Sequence, residues 1–178
     1  TYNLACGAWI TDESYHNLWH IEAVRACEVW RDLGYNGAGV VVGVVNLRIL
    51  ATHEDLDAQI EWSCSEPVPD PISSFWEDIH GTQMASVIGA EANNPIGQMR
   101  CNLVGIAHGA RLAEVFWGDG FVPPPPGPEE HAQVIGFAND CIEVKVHAYV
   151  LMGESGTYQP IPQLIRDAFT DATRSGRN

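Results

Sequence analysis

The apolar positions of the chain fall into two kinds of pattern. Val40 to Val45 (VVVGVV) is a short unbroken apolar run, almost all of it β-branched. Such a run suits a strand buried on both faces of a parallel sheet. Ala113–Trp117 and Val144–Leu151 predict a second and a third buried strand. Between them the spacing turns helical. Ile21–Leu33 places Ala23, Val24, Cys27, Trp30 and Leu33 near one face, Gly34 stops the helix, and Asn36-Gly37-Ala38-Gly39 makes a turn. His80-Gly81-Thr82 opens a second helical pattern, in which Met84, Ala85, Val87, Ile88 and Ala92 cluster until Asn93-Asn94-Pro95. Glu130–Asn139 and Gln163–Thr173 predict two more helices. Strands alternating with helices mean an α/β fold: a mainly parallel sheet with flanking helices.

The connecting segments read differently. Thr1 to Tyr15 shows no periodicity and is expected to be an extended arm. Pro67, Pro69 and Pro71 mark a loop, and Pro123–Pro126 running into Gly127-Pro128 marks a stiff exposed spacer. No internal repeat interrupts this order, and 178 residues suit a single domain, 1–178.

Charge narrows the partners. Twenty-three acids against nine bases give a formal charge of −14, and nine scattered bases make no phosphate-binding patch, which argues against nucleic acid. An acidic surface suits cations or basic peptides. No apolar run approaches the roughly 18–20 residues of a membrane helix. No charged leader with an apolar core precedes Thr1, so a signal peptide is expected to be absent or already removed. Cys6, Cys27, Cys64, Cys101 and Cys141 are widely spaced without a CxxC pair. Their odd number leaves at least one thiol free or bonded elsewhere, and the pairing and the redox compartment stay open.

Parallel sheets carry functional groups at the carboxyl ends of their strands. Asn46 ends the first predicted strand, and His80 stands at the start of a helix. A histidine there is placed for acid–base work, since its pKa lies near neutrality, or it merely caps the helix. Spacing decides between the two. The segment Gly34–Asn46 with His53-Glu54-Asp55-Leu56 resembles the first signature of subtilisin-like serine proteases, and His80-Gly81-Thr82-Gln83-Met84-Ala85-Ser86-Val87-Ile88-Gly89-Ala90 resembles their histidine signature. Glu91-Ala92-Asn93-Asn94 before Val104–Ala110, Asp12 ahead of Trp19, and Ala168-Phe169…Ser175-Gly176-Arg177 bring the likeness nearer to the kexin and furin branch, the proprotein convertases. It covers roughly Asp12 to Asn178 and matches the N-terminal half of that family's catalytic domain.

The resemblance implies a subtilisin-like fold, truncated, and a serine endopeptidase cutting after basic residues. His80 matches the general base and Asn46 the position of the triad Asp, which orients the imidazole and stabilises its charged form. No residue matches the nucleophile or the oxyanion-hole asparagine, and neither Ser86 nor Ser155 lies in the family's serine motif. The chain by itself is therefore expected not to hydrolyse peptides. The family's Asp-(Asp/Ser/Thr)-Gly turn is here Asn46-Leu47-Arg48, which puts Arg48 where a residue without Cβ is favoured. Leu47 stands where convertases carry a substrate-binding Asp, and Leu151-Met152-Gly153 matches their substrate-pairing strand. Glu77, Asp119, Glu129 and Glu130 fall near positions that help convertases read basic sequences, or are ordinary surface charges.

A structural calcium is implied as well. Asp12, Asp55 and Asn94 match the family's side-chain ligands, with backbone carbonyls near Glu91 and Ile96, all hard oxygen donors of the kind calcium takes. No organic cofactor is implied. The family acts in the secretory pathway or outside the cell, which sets the expected compartment. Three readings stay open: a kexin-type endopeptidase, a non-catalytic homologue that binds peptides or regulates an active relative, and a fragment without independent function. A truncated sheet should also leave the Val144–Leu151 strand without a neighbour, so self-association through an open edge is expected.

Overall fold

The computed structural model describes residues 10–12, 17–65, 75–94, 103–116, 127–147 and 160–174, with only the backbone at 75–78. Among the described residues three strands form one sheet: β1 (Val41–Asn46), β2 (Arg111–Phe116) and β3 (Val144–His147). All pairings are parallel and the order is β2-β1-β3. The register sets Val41 opposite Arg111 and Asn46 opposite Phe116 on one side, and Val42 opposite Val144 on the other. An isolated parallel bridge from Ile60 to Leu112 continues the sheet beyond β2.

The central β1 is apolar on both faces because both faces are covered. Val42, Val44 and Leu112 pack with Ala85, Leu56 and Ile60 on one side. Val45, Ala113 and Val115 pack with Ile142 and Cys64 on the other. The first side is closed by α3 (Phe75–Gly89), and the second lies towards α4 (Pro128–Gly136), whose Val134 joins that cluster. Against α4 packs α5 (Gln163–Arg174) through Ile135, Ile165 and Ala172. The chain is thus an α/β fold with a parallel sheet and flanking helices, as the alternating pattern predicts.

Three expectations need correction. The helix expected over Ile21–Leu33 is broken into α1 (Trp19–Ala23), α2 (Ala26–Glu28) and a wide π turn, Val29–Leu33. Arg25 sits in the left-handed region at φ 58°, which no continuous helix allows. The break also changes the buried face: of the expected residues Cys27 and Trp30 pack with Ile21, Ala26, Ile10 and Val104, whereas Ala23, Val24 and Leu33 are exposed. The helix expected to open at His80 begins at Phe75, so His80 lies within α3 rather than at its start. Arg48 is not strained: the only described non-glycine residues at positive φ are Arg25, Asn93 and Ala138.

Other boundaries move by one to three residues at an end. The third strand covers Val144–His147, with 148–151 outside the described residues, as are most of the expected N-terminal arm and the proline spacer. Cys64 and Cys141 form a disulfide across 77 residues, with Cα atoms 5.8 Å apart, and Cys27 is also disulfide-bonded. Among the described residues no helix is long and apolar enough to cross a membrane.

Candidate active site

Asn46 is the last residue of β1 and is 4% exposed, while His80 is exposed on the second turn of α3. The sheet and the helix bring them together across 34 residues: Nδ1 of His80 lies 2.7 Å from Oδ1 of Asn46. What permits this approach is Gly81. A Cβ at that position would come within 2.2 Å of the carbonyl oxygens of both Leu47 and Arg48, far inside contact distance. The helix therefore rests directly on the turn that leaves β1, and the residue beside His80 has to be glycine.

The far end of α3 is pinned just as firmly. Ile106 and Ala107 donate their main-chain N–H groups to the carbonyls of Val87 and Ile88 at 3.1 and 2.7 Å, and Gly105 donates to Ala90 at 3.0 Å. These bonds satisfy acceptors that a helix C-terminus leaves open. A Cβ on Gly105 would approach the Ala90 and Gly89 nitrogens to 2.5 Å. The helix that carries His80 is thus held at close contact both beside His80 and at its C-terminal end.

The turn after Asn46 is tied down by side chains. Leu47 donates its N–H to Oδ1 of Asn46 at 2.7 Å, and Leu50 donates to Oγ1 of Thr82 at 2.8 Å. Glu114, from the middle of β2, accepts from Nη1 of Arg48 at 2.6 Å and from the N–H of Ile49 at 3.0 Å. Arg48 lies over the Phe116 ring at 4.2 Å, a cation–π contact. The Arg48 and Glu114 side chains are 15% and 6% exposed, so the ion pair is largely desolvated. Glu114 is a residue that the sequence pattern alone does not single out. The signal is there all the same: a carboxylate inside the apolar strand RLAEVF requires a partner, since buried charges are paired.

The arrangement suits one kind of chemistry. An imidazole whose Nδ1 is bonded to a buried acceptor has Nε2 left for proton transfer. Ser86 offers no nucleophile to it, because its hydroxyl donates within α3 to the Thr82 carbonyl at 2.8 Å. Of the expected substrate contacts, Leu47 is 8% exposed. The side chain of Glu77, and Asp119, Leu151, Met152, Gly153 and Ser155 entirely, lie outside the described residues. Glu129 and Glu130 stand in the first turn of α4, where Glu130 accepts from the Gly127 N–H at 2.6 Å. That bond and the helix dipole account for an acid at position 130.

A second polar cluster forms around Asp12, Asp55 and Asn94. Both carboxylates are buried, at 5% and 1% exposure. The two oxygens of Asp12 accept from the Asn93 N–H at 3.0 and 3.2 Å. Asp55 accepts from Nδ2 of Asn94 at 2.8 Å and from the Leu103 N–H at 3.0 Å. Burial first, and the neighbouring Asp55 charge in addition, push the Asp12 carboxyl above the usual carboxylate range. Glu91 meets the cluster through its N–H, which donates to the Asp55 carbonyl at 2.9 Å, and Ile96 lies outside the described residues.

Comparison with known proteins agrees with this geometry. Residues 37–173 match the Peptidase_S8 domain, the subtilase family. Over 99 residues the chain is 34% identical to neuroendocrine convertase 2 of Bos taurus, covering 52% of this chain and 15% of that protein. It is 31% identical to furin of Bos taurus over 124 residues, covering 63% of this chain and again 15% of the relative. The chain therefore spans only a small part of the length of the curated relatives it matches. Among solved structures, the nisin leader peptidase NisP from Lactococcus lactis superposes with a TM-score of 0.57 at 19% identity, covering 93% of this chain and 49% of the other. MycP1 with its N-terminal propeptide removed gives a TM-score of 0.56 at 18% identity, covering 86% and 44%. These structural likenesses carry the fold.

Proposed function

Because the chain belongs to the subtilase family, we propose that it is the base-bearing part of a kexin- and furin-like serine endopeptidase domain. His80 is its general base, and Asn46 occupies the place of the orienting carboxylate. The observation that carries this reading is the 2.7 Å contact between Nδ1 of His80 and Oδ1 of Asn46 at the carboxyl end of β1. In the proposed reaction Nε2 takes the proton of a serine hydroxyl as it attacks the peptide carbonyl, then returns it to the leaving amine. No described serine bonds to His80, and Asn46 brings no negative charge to the imidazolium. The 178-residue chain by itself is accordingly proposed to be inactive. Basic peptides are the proposed substrate class, supported by a charge of −14 and by the similarity to furin.

The test is cleavage of a peptide with paired basic residues. The chain alone should give none, with or without Asn46→Asp. Supplied with the complementary half of a related protease domain, it should cleave and should lose cleavage on His80→Ala. Asn46→Asp should then raise turnover by restoring the counter-charge, by less than the roughly 10⁴-fold that the wrong tautomer costs in a trypsin-like triad. Turnover by the chain alone, abolished by His80→Ala, would overturn the inactive reading. A second reading, a non-catalytic peptide-binding relative, is favoured by the neutral Asn46. Saturable binding of the peptide without cleavage in the complemented domain would select it.

Calcium is proposed at Asp12, Asp55 and Asn94. What supports it is the burial of two carboxylates, Asp12 and Asp55, oxygen donors of the kind calcium takes, while Asn94 turns its Nδ2 towards Asp55 and would have to present its oxygen instead. When bound, the cation would neutralise the carboxylates and tie the N-terminal segment to the loop after α3. A calcium concentration of about 100 times Kd should add about 2.7 kcal/mol to stability. A Tm unmoved by EDTA and by millimolar calcium would remove the site. An oxidising compartment, the secretory pathway or the exterior, is proposed from the disulfides at Cys64–Cys141 and Cys27.

A further inference from the structure

An asparagine beside a catalytic histidine has two faces, and which one it presents decides where the histidine proton sits. The carboxamide offers an oxygen that only accepts and an NH₂ that only donates. Turned with its NH₂ towards Nδ1, it would force the proton onto Nε2 and leave the imidazole unable to act as a base there. In this chain the choice is made by the main chain. The N–H of Leu47 can only donate, and it points at one amide atom of Asn46 from 2.7 Å. That atom must be the oxygen. The same atom lies 2.7 Å from Nδ1 of His80, so Nδ1 must be the donor and carry the proton.

The reverse orientation makes one bond fewer. It would set the Asn46 NH₂ against the Leu47 N–H, donor against donor, lose that bond, and keep only a bond from the NH₂ to Nδ1 of the other tautomer. It would also move the oxygen to the site now held by Nδ2, which is buried and has no hydrogen-bond partner among the described residues. The flip therefore forfeits the Leu47 hydrogen bond, exchanges the one to His80 and gains none, in a position 4% exposed where unmade bonds are costly. We infer that the Leu47 N–H locks the Asn46 carboxamide so that it holds His80 with its proton on Nδ1 and its lone pair on Nε2. Asn46 is thus a positioning residue that keeps one of the two duties of the lost carboxylate. It sets the tautomer and gives up only the counter-charge.

The inference deepens the peptidase reading, but the tautomer is read without turnover, so the two can fail separately. The experiment is long-range ¹H–¹⁵N correlation NMR of the uniformly ¹⁵N-labelled chain, at a pH where the His80 ring is neutral. The His80 signals are assigned by their loss in His80→Gln. Wild-type protein should show a protonated Nδ1 and an unprotonated Nε2. Asn46→Asp should preserve that pattern, because a carboxylate also accepts, whereas Asn46→Leu should lose the Nδ1 preference. Leu47→Pro, which removes the locking N–H, should mix the two tautomers. A protonated Nε2 with bare Nδ1 in the folded wild type would overturn the inference. An unchanged tautomer in folded Leu47→Pro would overturn the role of Leu47. Should that variant fail to fold, wild type and Asn46→Leu still decide the tautomer. Absence of peptide cleavage from a complemented domain would leave the NMR result untouched and count against the peptidase reading alone.

Discussion

Gly81 carries the strictest steric demand at the site, since any side chain there would run into the Leu47 and Arg48 carbonyl oxygens at 2.2 Å. Gly81→Ala must lift α3 away from the turn, and overpacking of this kind costs about 1–3 kcal/mol. Urea denaturation should show that loss, and a variant as stable as wild type would mean that the helix does not rest on the turn. A different demand is made by Glu114, whose carboxylate serves both Arg48 and the Ile49 N–H. Glu114→Ala should destabilise by about 3–5 kcal/mol, because it leaves a largely buried guanidinium unpaired. The double variant Arg48→Met, Glu114→Leu should recover most of that loss in the same urea titration. Equal losses in the single and double variants would show that the pair is not the source. Neither contact is legible in the sequence, although a glycine after the histidine and an acid within an apolar strand are both visible there.

At the scale of elements, the sheet is more legible than the helices. Runs such as VVVGVV announce a buried strand because β-branched apolar residues have few other places to go. The Ile21–Leu33 pattern also announces a buried face, yet periodicity cannot show that Arg25 takes φ 58° and breaks the helix. The break turns Val24 and Leu33 out to solvent, while Cys27 and Trp30 stay on the core. Lys145 on β3 gives the element-scale prediction. It donates to the Ile135 carbonyl at 2.6 Å and to Asn139, beneath the C-terminal end of α4, and burial lowers its pKa to about 8. Between about pH 8 and the ordinary lysine value near 10.4, the unfolded chain binds more protons than the folded one, so stability rises with pH. Below about pH 8 the burial penalty is present in full. The stability difference between wild type and Lys145→Met should therefore shift in favour of wild type across that window. A difference independent of pH would argue that Lys145 is solvated.

For the whole molecule, the side of the sheet beyond β3 decides how the chain behaves in solution. Among the described residues β3 pairs only with β1, and Val144 at its start is 43% exposed. An unpaired strand edge invites pairing with another chain, against the repulsion of a net charge of −14. Light scattering of the isolated chain should show concentration-dependent association, strengthened by salt that screens the charge. A monodisperse monomer at high concentration and high salt would show that the edge is covered. Substituting Val146, the β3 residue opposite Val44, with Pro should suppress association if the edge is the contact, because proline removes a ladder donor.

The apolar and polar pattern of the chain by itself determined the α/β class and the parallel sheet. These follow from burial, and burial is written locally, residue by residue, in hydrophobic spacing. Residue types and their order likewise marked Asn46 and His80. Only the tertiary structure decided that they meet, because 34 residues of chain separate them and the approach hangs on one glycine against two carbonyl oxygens. It alone paired Arg48 with Glu114 and Cys64 with Cys141, contacts set by strand register and loop packing rather than by neighbours in sequence. The orientation of the Asn46 amide belongs to the same class. An asparagine in a sequence can accept or donate, and it took the Leu47 N–H, fixed by the turn after β1, to make it accept.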